Sequence, residues 1–180
     1  MPRLFIAIDL PELIRDEILF TYQSIPRAKW VKNDQIHLTL RFIGDVENGT
    51  AERICHSLCN VHFPAFELSL KSVGVFPPRR QPRVLWFGLA ESEPLVRFQN
   101  KIERAVIATG VAPENRKFSP HITIARLKNS PPDALASYIS RNSLFKTESF
   151  CVSEFYLYSS FINSEGATHI KEATFSLETE

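Results

Sequence analysis

Two rhythms of apolar and polar residues alternate along the chain. Short runs dense in branched and aromatic residues read as strands: RLFIAIDL (3–10), IHLTLRFIG (36–44) and FELSLKSVGVF (66–76). Between them lie stretches with helical spacing, PELIRDEILFTYQSI (11–25) and NGTAERICHSLCNV (48–61), the second placing Ile54, Leu58 and Val61 on one face. Pro11 suits a first helical turn, with Asp9 as the expected cap. A loop rich in proline and arginine, PPRRQPR (77–83), follows.

The same order then recurs. A strand is predicted over 83–92, a helix over 93–110 with Gly110 near its C-terminus, a strand over 120–127, a helix over 131–142 and a strand over 149–161. One more strand is predicted over 169–178. Aligning the halves pairs Arg3 with Arg83, Leu13 with Leu95, His37 with His121 and Phe66 with Phe150, at offsets of 80, 82, 84 and 84. The pattern predicts an α+β protein in which a β-α-β-α-β unit is used twice. Its two mainly antiparallel sheets should face a central cleft, related by a pseudo-twofold axis, with helices outside. Residues 1–180 are expected to form a single bilobal domain, with the repeat spanning roughly 3–76 and 83–161.

Composition narrows the classes. The chain has 180 residues, 44% of them hydrophobic and 23% charged, which is ordinary for a soluble globular protein, and its formal charge is +1. Bulk attraction to nucleic acid or anionic lipid is therefore not expected, and phosphate recognition must be local. The apolar run at residues 4–8 is too short for a signal peptide, and no stretch has the length of a membrane span, so a cytoplasmic location without membrane partners is expected. Cys55, Cys59 and Cys151 fit neither a disulfide framework nor a zinc knuckle and are expected to be reduced and mostly buried.

The chemistry lies in two tetrapeptides, His37-Leu38-Thr39-Leu40 and His121-Ile122-Thr123-Ile124. On a strand, each His shares a face with its Thr while the apolar pair faces the helices. Opposed across a cleft, the motifs supply two imidazoles and two hydroxyls. Imidazole titrates near neutrality, so one ring can take a proton from a nucleophile while the other gives one to a leaving oxygen. The hydroxyls can donate to the non-bridging oxygens of a phosphate. In-line displacement at phosphorus needs a group on each side, so the pattern predicts cleavage of a phosphodiester, with neither metal nor cofactor. No third zinc ligand stands at a recognisable spacing.

Arg41 is expected on the same face as His37, as a candidate substrate contact. Arg126 closes the second motif as a second candidate substrate contact, although strict alternation points it away unless a bulge intervenes. Phe42 and Phe118 are expected in the core, whereas Arg79, Arg80 and Arg83 form a basic loop suited to RNA. His56, His62 and His169 lie outside the motifs and are expected to be surface or structural residues.

The segments RLFIAIDLP, IHLTLRFIGD, PRVLWFGL and FSPHITIARL resemble the 2H phosphoesterase superfamily, in particular its RNA 2′,3′-cyclic phosphodiesterases, the LigT or 2′-5′ RNA ligase family. The resemblance covers nearly the whole chain, and the paired motifs are its most specific part. It implies opening of an RNA terminal 2′,3′-cyclic phosphate, such as that of a tRNA fragment, to a 2′-phosphate by a monomer. His37 would be the proton donor, His121 the proton acceptor, and Thr39 and Thr123 would hold the phosphate. Alternatives with the same site are a small cyclic nucleotide, a 2′-5′ oligonucleotide or reverse 2′-5′ ligation. A protein that only grips RNA ends would not need both histidines.

Overall fold

A computed structural model describes residues 1–78, 81–163 and 166–179. The chain runs β1 (Arg3–Asp9), α1 (Glu12–Phe20), β2 (Ala28–Trp30), β3 (His37–Asp45), α2 (Asn48–Cys59), β4 (Phe66–Leu68), β5 (Leu70–Phe76) and β6 (Val84–Leu89). It continues through α3 (Glu93–Ile107), β7 (His121–Leu127), α4 (Pro132–Arg141), β8 (Phe150–Val152), β9 (Glu154–Asn163) and β10 (Gly166–Ser176). A short 3-10 turn, Asn33–Gln35, precedes β3.

Each helix buries one stripe. In α3 the stripe is Leu95, Phe98, Ile102 and Val106, and the Ser92 hydroxyl caps the start by accepting from the Leu95 amide at 3.2 Å. Gly110, in the left-handed region at φ +92°, closes the turn beyond that helix. Asp9 is not a cap: α1 starts after Pro11 with no side-chain cap, and the Asp9 carboxylate instead accepts from the Tyr158 hydroxyl and pairs with Lys171. The helix also stops at Phe20, short of the predicted end.

The strands follow the path β10-β9-β1-β3-β7-β6-β5, with β2 beside β7, and β4 pairs only with β8. The two expected sheets are limbs of this path, joined at a single pair, Leu38 with Ile122. The limbs do not coincide with the halves of the sequence. β9, from the second half, lies against β1, while β5, from the first half, lies against β6. Each limb thus borrows its third strand from the other repeat, which interlocks the repeats. Leu4, Ile6 and Ile8 of β1, Leu38 and Leu40 of β3, and Ile122 and Ile124 of β7 pack with the helices in one core. The opposite face stays open.

Among the described residues no helix is long and apolar enough to cross a membrane. All three cysteines are free, but Cys59 and Cys151 are exposed, so only Cys55 is sheltered as expected. Arg79 and Arg80 lie outside the described residues; the Arg83 backbone is fixed by bonds to Phe76 and Leu127.

Candidate active site

Alternation on β3 turns Leu38 into the core and leaves His37 and Thr39 on the open face, and β7 does the same with Ile122, His121 and Thr123. β3 and β7 run antiparallel with Leu38 opposite Ile122. In that register His37 stands across from Thr123, and Thr39 across from His121. The pseudo-twofold passes between the strands, so the imidazoles lie diagonally, one on each side of a central point. All four side chains line one cavity of about 610 Å³.

The rings are oriented from behind. His121 Nδ1 is 2.8 Å from the Ser119 carbonyl, and His37 makes the equivalent backbone bond to Gln35. With Nδ1 tied to a carbonyl, the neutral His121 ring keeps its proton there and offers Nε2 as the acceptor. Their surroundings differ. His37 stacks on Phe5 at 5.0 Å between centroids and has Tyr158 at 6.2 Å, whereas His121 meets Phe76 edge-on at 5.0 Å. Burial, helped by neighbouring His169, brings the His37 pKa down to about 4, only partly opposed by the Asp9 carboxylate and the Gln35 bond.

Both motif strands carry a bulge at the same place. On β3 the pairing with β1 skips Leu40, and on β7 the pairing with β6 skips Ile124. Each extra residue reverses the alternation after it. Arg126 thereby turns onto the open face and lines the cavity. Arg41 goes the opposite way and does not join the motif residues. It is buried toward the helices, 2.6 Å from Glu103 and 3.6 Å from Glu114, and donates to the Phe42 and Ala112 carbonyls at 2.8 and 2.6 Å. Alternation without a bulge is what misplaced it. Phe42, expected in the core, lines the cavity with the Arg3 guanidinium 5.2 Å above its ring, while Phe118 packs against the core as expected.

One histidine assigned to the surface or to structure belongs here. His169 of β10 lines the cavity, and its ring lies 5.6 Å from His37 and 4.9 Å from Phe5, nearly perpendicular to both. No local motif signals it, because strand pairing across most of the chain brings it in. His56 is exposed, and His62 pairs at the surface with Glu178. Among the described residues no three His, Cys, Asp or Glu side chains are placed to share a metal ion.

A two-limbed sheet with a His-Thr pair from each limb is the architecture of a 2H phosphoesterase. The family described as LigT like Phosphoesterase matches residues 8–86 and again 88–166, and the chain belongs to it. The enzyme called RNA 2′,3′-cyclic phosphodiesterase from Methanothermobacter thermautotrophicus is 31% identical over 182 residues, covering 97% of this chain and 98% of that one. Its namesake from Archaeoglobus fulgidus is 30% identical, covering 91% of this chain and 94% of its own. The crystal structure of E. coli LigT complexed with 3′-AMP superposes with a TM-score of 0.79 at 27% identity over 98% of both chains.

Proposed function

We propose that this enzyme hydrolyses the terminal 2′,3′-cyclic phosphate of RNA to a 2′-phosphate, without a metal, and that one chain carries the whole site. The observation that carries the proposal is the crosswise register of the two motifs, which leaves the imidazoles on one diagonal and the Thr39 and Thr123 hydroxyls on the other within a single cavity, an arrangement suited to a phosphate between them. The names of relatives matching nearly the full chain support the substrate class.

Water attacks phosphorus as His121 Nε2 takes its proton. The bond to the 3′ oxygen breaks, and His37 protonates that oxygen as it departs. The hydroxyls of Thr39 and Thr123, with Arg126, hold the non-bridging oxygens. With a pKa of about 4 in the empty site, His37 is neutral at pH 7. A phosphodiester anion supplies what is missing: one negative charge about 4 Å away, at an effective dielectric of about 20, is worth about 4 kcal/mol. That equals about three pK units and returns the ring to the neutral range. His37 is thus charged as an acid by the arrival of its substrate.

The test is an oligonucleotide ending in a 2′,3′-cyclic phosphate, incubated with the enzyme in EDTA beside a 2′,3′-cyclic mononucleotide. Faster turnover of the oligonucleotide to a 2′-phosphate is expected. Complete loss of activity in EDTA, restored by zinc, overturns the mechanism, and preference for the mononucleotide overturns the substrate.

A further inference from the structure

The rings of His37, Phe5, His169 and Tyr158 meet at one side of the site. Phe5 covers one face of His37 at an interplanar angle of 27°, and His169 lies across the stack at 75° to Phe5 and 81° to His37. β10 is tethered over this end of the cleft, because the Gln35 side chain donates to the Ala167 carbonyl two residues before His169. His169 Nδ1 is buried and has no hydrogen-bond partner among the described residues. A doubly protonated His169 ring would bury an unsatisfied N–H donor there, so its packing favours the neutral form.

We infer that His169 is a positioning residue acting through His37: lying across the Phe5–His37 stack, it keeps water and a resident proton off His37 until a phosphate anion arrives. Two physical effects act in the same direction. The ring removes solvent from His37, and any charge it acquires repels a proton on its neighbour. The other groups facing the pair are Asp9 of β1, Tyr158 of β9, Arg126 of β7 and Asp34 of the turn before β3. Lys171 of β10 is engaged by Asp9. Asp9 favours charge on His37 and Arg126 opposes it, while Asp34 acts on His169. In the repeat, His121 meets Phe76 rather than a third imidazole, so this device serves one side of the site only.

The inference rests on the reading of His37 as a site histidine, and its test needs no turnover. Histidine labelled at the imidazole carbon is titrated by NMR in the parent, in His169→Ala and in His169→Phe. His169→Ala should raise the His37 midpoint by roughly one to two pH units. His169→Phe keeps a ring in place and should raise it less. Dimethyl phosphate, a diester anion with no titration of its own in this range, should raise the midpoint in the parent and raise it less in His169→Ala. An unchanged His37 midpoint in His169→Ala overturns the inference. If His169→Ala does not fold, an unchanged midpoint in His169→Phe does so. Failure to open a cyclic phosphate, by contrast, would remove the proposed activity and leave this coupling standing.

Discussion

Acidification should weaken the fold through the His37 ring. His37 is half-buried against Phe5 with its pKa at about 4, against 6.5 for an ordinary histidine. Because the folded value is depressed, the unfolded chain takes up this proton first. The contribution of His37 to stability is therefore complete above about pH 6.5 and is lost as pH falls toward 4. A difference of about 2.5 units at 1.36 kcal/mol each amounts to about 3 kcal/mol. That is a large part of the 5–15 kcal/mol typical of a domain. Urea unfolding of the parent and of His37→Gln at pH 7 and pH 4 isolates it, since the carboxylates titrate in both proteins. The parent should lose about 3 kcal/mol more than the variant over that interval. If the two lose stability in parallel, His37 is not held neutral by burial, and the substrate-charged acid fails with it.

Arg41→Met should cost about 3 kcal/mol of stability by urea unfolding, because it leaves Glu103 and two carbonyls without their cation; a change under about 1 kcal/mol would mean the buried pair contributes little. Arg126→Gln should lower kcat/KM on a cyclic-phosphate oligonucleotide by roughly 10- to 100-fold, the worth of a hydrogen bond from a charged donor, while the unfolding midpoint hardly moves. Thr39→Val keeps its shape and loses a hydroxyl, so kcat/KM should fall by the equivalent of about 1 to 3 kcal/mol. In the same assay His56→Ala, remote from the cavity and exposed, should match the parent.

What the sequence makes legible is what depends on local periodicity. Alternation within His-x-Thr-x assigns faces to His37, Thr39, His121 and Thr123 without tertiary knowledge, and the slow drift of offset between the halves reveals the duplication. Arg41 and Phe42 were misplaced for a definite reason. A bulge is a property of the partner strand's register, and nothing in LTLRF announces that Leu40 will go unpaired. His169 was missed because its approach to His37 depends on β10 pairing with β9, β9 with β1 and β1 with β3. The exchange of β5 and β9 between limbs is hidden likewise, since both read as the natural third strand of their own repeat.

The bulges show how a duplicated scaffold comes to serve a reaction that is not symmetric. In-line displacement needs a general base on one side and a general acid on the other, yet duplication supplies two copies of one motif. Leu40 and Ile124 occupy equivalent places and bulge alike, so the backbone device is common to both repeats. The side chains it redirects differ. In the first motif the residue after the bulge is Arg41, turned inward to anchor the loop after α3, and the next is Phe42, turned into the cavity. In the second, the inward position holds Ala125 and the cavity position Arg126. The same geometry therefore presents a fixed positive charge beyond Thr123, on the His37 side, and an aromatic ring beyond Thr39, on the His121 side. Together with the ring cluster that keeps His37 neutral when the site is empty, this difference in two residues per strand gives identical imidazoles unlike environments, which is what separate acid and base roles require.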